Sequence, residues 1–281
     1  MSACRLNLVS AIAAVTILNI VACGASSNSA NSLKVTNGAK AGAAFPAVVS
    51  LNLQAGQTSG MCTGTFVNDS QVVSAAHCVF AVLDGGGDAS SIKFVNERSD
   101  GTVAEVSALK FAYHPDYVND PTVLNKNDIA VLTFPEGSAP AAVKLYGRRP
   151  KVGQDFTIVG FGLNDYERDT QGNQVGSGGG VKRMGTNKIQ SISNGMIEFT
   201  GVPTAADGVI PQGQNVASGS GDSGGPLLID GALAATTSGG GLTSVWAGGQ
   251  YKTLKASSYV DLNLPSNRSF LAQQLTLAPG W

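Results

Sequence analysis

Apolar and polar positions alternate from Val48 to Leu53, which predicts a strand with one buried face. Cys62 to Val67 and Gln71 to Ser74 read as two more strands, joined by a turn at Asn68-Asp69-Ser70. Ile129 to Phe134 is a continuous apolar run fit for a fully buried strand. Gln154 to Gly162 predicts a strand ending in Gly160-Phe161-Gly162, and Met184 to Thr200 holds two more. Leu227-Leu228-Ile229 is a further apolar run, and Leu233 to Gly240 continues the series of strands. Leu163 to Gly185 is long, polar and glycine-rich, and predicts a loop. The one strong helical period comes last: Asn267 to Leu277 places Phe270, Leu271 and Leu275 on one face, with Ser266 as its cap after Pro265. Short strands punctuated by turns, closed by one helix, describe an all-β chain.

Composition agrees with that reading. Of 281 residues, 43% are hydrophobic, only 13% are charged and 36 are glycine, which suits a β-rich exported fold better than a helical cytosolic one. The net charge of −1 carries no basic excess for nucleic acid and no acidic tail. Residues 1–22 read as an export signal, with Arg5 at its head and an apolar stretch from Leu6 to Ala22 that is too short and too polar for a membrane span. Ile20-Val21-Ala22-Cys23 is similar to a bacterial lipobox, in which the cysteine is acylated and becomes the mature N-terminus. Ordinary cleavage near Ala25, discarding Cys23, is the alternative. Gly24 to Ser32 has almost nothing to bury, so 23–34 reads as a lipidated tether and propeptide.

Three stretches carry chemistry. Gly219-Ser220-Gly221-Asp222-Ser223-Gly224-Gly225-Pro226 sets a serine between an acid and glycines. Such a turn can lift a hydroxyl clear of the scaffold and aim neighbouring N–H groups at one point, as a nucleophile and an oxyanion hole require. A glycine-rich hairpin with an incidental serine is the bland alternative. Val73-Ser74-Ala75-Ala76-His77-Cys78 supplies one of only two histidines, and Asn127-Asp128-Ile129-Ala130 places an acid at the head of an apolar run. Read in chain order these are His, Asp, Ser, the order of the chymotrypsin-like triad and not of the subtilisin or α/β-hydrolase types. On these motifs the chain resembles the chymotrypsin/trypsin family of serine endopeptidases, from about Val35 to the last helix near Leu275.

The resemblance implies two six-stranded antiparallel barrels with a C-terminal helix, spanning 35–281, and an active site in the cleft between them. It implies His77 as general base, Asp128 as the acid that orients it, Ser223 as nucleophile, and the N–H groups of Gly221 and Ser223 as oxyanion donors. Cys62 and Cys78 have the family spacing and are expected to bridge, clamping the turn that holds His77. Val35-Thr36-Asn37-Gly38 resembles the N-terminus freed by activation, with Lys34 as the cleaved residue and the new ammonium of Val35 pairing with Asp222. No metal or cofactor is required, and protein or peptide substrates, possible activation by another protease, and a monomer are implied.

The specificity pocket is expected from Ala217 at its floor, with Ser238, Gly240 and Gly249 along its walls. An uncharged floor pairs poorly with a buried Lys or Arg, so an apolar or aromatic preference is expected, and self-cleavage at Lys34 is not. Ser238-Gly239-Gly240 lacks the family's tryptophan, and Gly160-Phe161-Gly162 also departs from its usual tryptophan. His114, in Tyr113-His114-Pro115, reads as structural, and Asp84 to Asp88 as a solvated loop and not a calcium site. Localisation follows the leader: lipid-anchored at Cys23 in a bacterial cell envelope, or secreted after processing. The reading from another class is a surface lipoprotein that keeps the fold as a binding module without catalysis. A lipase or esterase is disfavoured, because Gly-x-Ser-x-Gly and an Asp-then-His order after the serine are both lacking.

Overall fold

The computed structural model describes residues 35–97, 103–120, 122–123, 125–171, 173–203 and 210–276. The export signal, Cys23, the tether and Lys34 lie outside the described residues, as does Leu277. A short edge strand, β1 (Ala39–Lys40), leads into β2 (Val48–Ala55), β3 (Thr58–Phe66) and β4 (Gln71–Ser74). Helix α1 (Ala76–Leu83) comes next, then β5 (Ile92–Glu97), β6 (Val103–Ser107), β7 (Lys110–Tyr113) and β8 (Ala130–Thr133). The second half holds β9 (Asp155–Gly160), β10 (Asp165–Arg168), β11 (Gln174–Ser177), β12 (Arg183–Lys188), β13 (Ser191–Ser193) and β14 (Met196–Gly201). It ends with β15 (Pro226–Ile229), β16 (Ala232–Ala247), β17 (Gln250–Asp261) and helix α2 (Pro265–Gln274).

Sheet order shows how each half closes. The first sheet runs β6-β5-β2-β3-β4-β8-β7, and its two ends are neighbours in sequence. At the bend between them, Ala108 N donates to Ile92 O on β5 and Leu109 N donates to Thr133 O on β8. Thus β6 and β7 are one bent strand, and the sheet is a closed barrel of six. The second sheet, β1-β12-β9-β15-β16-β17-β14-β13, closes the same way. Ile189 N donates to Gln154 O beside β9, while Gln190 N donates to Glu198 O on β14, so β12 and β13 are one strand bent at Ile189-Gln190. β1 is added outside that ring, against β12. Closure leaves few free edges, which suits strands this short.

Each barrel is filled by its inward residues. Phe66, Phe94 and Phe134 pack edge-on or tilted in the first, with Phe94 and Phe134 centroids 4.9 Å apart. Phe156, Phe199 and Tyr259 do the same in the second. A third apolar cluster joins them, drawing Val73, Ile129 and Val131 from one side and Val159, Leu228 and Val260 from the other. Phe270 and Leu271 of α2 pack into this seam. The seam fixes the two barrels against each other, and with them the residues carried on their facing ends.

Several expectations shift in detail. The stretch holding His77 is a helix, with Ala76, Cys78, Val79 and Val82 buried on one face. It stops where Gly86 adopts φ +77° and Gly87 N donates back to Val82 O. The expected loop at 163–185 contains the β10–β11 hairpin. The final helix starts at Pro265 in its first turn, after an extended Leu264, so Ser266 lies inside the helix and is not its cap. β16 and β17 run far beyond the expected Leu233–Gly240 strand, and Gly248 and Gly249 make the turn at their tip.

Candidate active site

His77 sits in the first turn of α1, immediately after β4, and Asp128 lies just before β8. β4 and β8 are paired, Ser74 opposite Ala130, so the sheet itself brings the two residues together. Asp128 Oδ2 lies 2.8 Å from His77 Nδ1, and Asp128 Oδ1 accepts the His77 backbone N–H at 2.9 Å. Ser238 Oγ donates to the same Oδ2 at 2.7 Å. The carboxylate is buried while the histidine side chain is 32% exposed, so the ring is held from behind and open in front. Burial pulls the His77 imidazole down, but the charge and hydrogen bond of Asp128 outweigh it and raise the ring above its ordinary value. Burial works against the Asp128 carboxylate too, yet His77 and the hydroxyl of Ser238 hold it below the usual range.

The disulfide between Cys62 and Cys78 is formed and ties β3 to α1 next to His77. Thr63, beside that bridge, joins the two barrels at the site. Its N–H donates to Ser223 O at 2.8 Å and its hydroxyl to Gly221 O at 2.9 Å. Gly224, at φ +75°, lies so close to Ser74 and Ala75 that a Cβ there would strike the Ser74 hydroxyl and the Ala75 amide. These contacts seat the Ser223 turn against the strand end that leads into His77. Among the described residues no hydrogen bond joins Ser223 to His77.

The turn itself is over-determined. Asp222 is buried, with Oδ1 accepting Gly162 N and Oδ2 accepting Gly219 N, both at 2.7 Å. Leu163 N donates to Ser220 O at 2.8 Å. A planar peptide points its C=O and N–H in opposite directions, so the Gly221 N–H is turned away from Leu163. Among the described residues neither Gly221 N–H nor Ser223 N–H has a protein acceptor. Two adjacent free donors beside a serine can receive a developing negative charge. Burial pushes the Asp222 carboxyl up to about 7, against the opposing pull of the two amides and of Lys255.

Val35 is buried in the second barrel's core with Ala217, Ile158 and Leu227. Thr36 N donates to Ala217 O at 2.9 Å, and Asn37 Nδ2 donates to Gln214 O at 2.8 Å. Segment 35–38 is therefore docked beside the Ser223 turn. Among the described residues no bond joins Val35 to Asp222.

The pocket assignment needs one correction. Gly249 lies at the tip of the β16–β17 hairpin, roughly 20 Å along the strand from the Gly240–Ser257 pair that faces the turn. It does not line a pocket, because the hairpin is longer than a family-length loop would be. Ala217 is fully buried among core residues, and the polar groups at this place are its neighbours. Ser218 donates to Ser257 Oγ through both N (2.8 Å) and Oγ (3.0 Å). His114 is structural as expected: it is buried against Phe270, and Nδ1 accepts Asp116 N.

Four contributors were not read from the sequence in these roles. Thr63 was hidden because its signal is only adjacency to Cys62, and Ser238 was assigned to a wall and not to the acid. Tyr166 lay within the expected loop, yet its hydroxyl donates to Ser220 Oγ at 3.1 Å and accepts Ser220 N. Lys255 did carry a signal, since it shares the buried face of β17 with Ser257, Tyr259 and Asp261.

Two closed six-stranded barrels, with a histidine–carboxylate pair on one and a glycine-bounded serine on the other, define a chymotrypsin-like fold. Residues 35–258 match the protein family described as Trypsin, and the chain belongs to that family of serine endopeptidases. Over 189 residues it is 28% identical to kallikrein-8 of mouse (Mus musculus), a match spanning 64% of this chain and 66% of kallikrein-8. Its fold is similar to the solved structure of neuropsin, a serine protease expressed in the limbic system of mouse brain. The TM-score is 0.53 at 22% identity, over 82% of this chain and 94% of that one. Among the described residues no helix is long and apolar enough to cross a membrane.

Proposed function

We propose that the chain is an exported serine endopeptidase that cleaves peptide bonds through His77, Asp128 and Ser223. The observation that carries this is the buried Asp128 held on His77 Nδ1, with the ring's other edge open beside the Ser223 turn. Nδ1 keeps its proton toward Asp128, which leaves Nε2 free to accept the Ser223 proton as Oγ attacks the substrate carbonyl. The oxygen that gains charge is received by the Gly221 and Ser223 N–H groups. The imidazolium then protonates the leaving amine, and water, activated by the same ring, releases the acyl group from Ser223.

Activation by cleavage after Lys34 belongs to this reading. It is supported by the docking of Val35 beside Ala217 and by a buried Asp222 whose oxygens accept backbone amides and which makes no ion pair, although it feels the charge of Lys255. A freed Val35 ammonium would meet that need. The leader is read as an export signal over 1–22 and a tether over 23–34 acylated at Cys23 in a bacterial envelope, so the same cleavage would release the catalytic domain from its anchor. The domain is read as a monomer acting on protein or peptide substrates.

The test is a fluorophosphonate probe applied to the full chain before and after cleavage at Lys34. Labelling at Ser223 that appears on cleavage and is lost in Ser223→Ala is the expected result. Absence of labelling in the cleaved chain would leave a binding module on a protease fold.

A further inference from the structure

Lys255 is only 3% exposed, an unusual place for an ammonium. Three relations locate it. It stands two residues from Ser257 on the same face of β17, and Ser257 receives both polar groups of Ser218. Its Nζ lies 4.5 Å from the ring centroid of Tyr166, whose hydroxyl is bonded to Ser220. Its charge is felt by Asp222, immediately before Ser223. The ammonium therefore lies under the Ser218–Ser220 segment, between that segment and the β16–β17 pair. Ser218, just after Ala217, is bonded to Ser257, and Gly240 is paired with Ser257 across β16 and β17, so two of the stretches read as the specificity pocket adjoin this space.

The charge is not consumed there. Asp222 gives both oxygens to backbone amides, and no ion pair joins it to Lys255. Among the described residues none of the three N–H donors of Lys255 reaches an acceptor; the Tyr166 ring face is its one close favourable contact. Burial lowers the ammonium to about 8 against the pull of Asp222, so it stays charged at neutral pH. A buried cation with unfilled donors is costly, and an anion entering beside it recovers that cost.

Resting on the serine endopeptidase reading above, we propose that Lys255 makes the specificity pocket cationic, so that the enzyme cleaves after acidic residues, Glu or Asp. The substrate carboxylate would complete a charge-assisted hydrogen bond that the fold leaves open. This replaces the apolar or aromatic preference expected from Ala217. It also keeps Lys34 outside the enzyme's own specificity, so a second protease would remove the leader.

The experiment exposes the full chain, cleaved after Lys34, to peptidyl phosphonates that differ only at the residue before the reactive group: Glu, Phe or Lys. The rate at which Ser223 is modified is read by intact mass, with a small fluorophosphonate as the check on the nucleophile. The Glu reagent is expected to react at least about tenfold faster than the Phe or Lys reagents. Lys255→Met should reverse the Glu-to-Phe ranking, and Lys255→Arg should keep it. Fluorophosphonate labelling with no Glu preference in the wild-type chain would overturn the pocket inference and leave the hydrolase intact. No labelling by any reagent would remove the hydrolase reading, and the pocket with it. The wild-type comparison decides the matter even where Lys255→Met does not fold. Equal loss of all reagents in that variant, beside a wild type without preference, would mark Lys255 as a charge partner of Asp222 alone.

Discussion

Gly162 donates its backbone N–H to the buried carboxylate of Asp222 at 2.7 Å, and the two residues touch so closely that no side chain fits between them. A Cβ on Gly162 would meet the Asp222 amide and lie 2.6 Å from Ser220 O. Both atoms belong to the turn that presents Ser223. Gly162→Ala should therefore cost about 1–3 kcal/mol of stability by overpacking and lower kcat more than KM. Denaturant unfolding and peptide hydrolysis check this. A variant with wild-type stability and rate would mean the turn can move without consequence.

Asp128 fixes which nitrogen of His77 carries the proton. Asp128→Asn keeps the size and changes the tautomer preference, so kcat should fall by about four orders of magnitude with little change in KM. In the wild-type chain the His77 imidazole is raised above its ordinary value, so kcat/KM should climb with pH through a midpoint above the usual histidine range. Loss of the carboxylate removes the group that raises it, and the midpoint should drop. A pH profile of kcat/KM on both proteins tests the pair; an unshifted midpoint would detach Asp128 from the reacting histidine.

Much of this arrangement was legible in the chain. Val48 to Leu53 and Gln71 to Ser74 are strands because β-branched and aliphatic residues fill a two-sided pattern, and they form where expected. The histidine, the acid and the serine stand out as candidates because a glycine-bounded turn, an adjacent cysteine and an apolar run headed by an acid leave local marks. What could not be read depends on contacts far apart in sequence. Thr63 acts on Ser223 and Gly221 across some 158 positions, and Tyr166 reaches Ser220 from a stretch that looks like loop. The length of the β16–β17 hairpin misled the pocket assignment in the same way. Its outer half is exposed and polar, carrying Trp246 and Tyr251 at the tip, so no buried period marked where the wall ends.

The bridge between Cys62 and Cys78 closes a loop with a sequence separation of 16. A loop of that size stabilises by about 3 kcal/mol in the chain-entropy model. The double variant Cys62→Ser, Cys78→Ser should lose that much in denaturant unfolding. Because the bridge also holds α1 against β3, hydrolysis should fall further than the folded fraction alone explains. Activity per folded molecule equal to wild type would limit the bridge to stability.

Asp222 sets a pH dependence of stability that reports on activation. In the uncleaved chain burial lifts its carboxyl to about 7, whereas in the unfolded chain it ionises near 4. Between those values the folded state holds a proton that the unfolded state has released, so this group makes stability fall as pH rises from about 4 to 7. His77, raised in the fold, adds a loss in the same direction above its unfolded value. Asp128 opposes both on the acid side, since its depressed carboxyl contributes stability that is lost as pH falls. The uncleaved chain should thus lose the Asp222 contribution as pH rises from about 4 to 7. Asp222→Asn should flatten the decline toward neutral pH, leaving the part due to His77. Cleavage after Lys34 should flatten it too, because a Val35 ammonium paired with Asp222 would draw the carboxyl back down. Thermal melts of uncleaved, cleaved and Asp222→Asn chains across pH 4 to 8 make the comparison. If the cleaved chain keeps the full slope of the uncleaved one, the Val35 ammonium does not reach Asp222 and activation after Lys34 loses its physical basis.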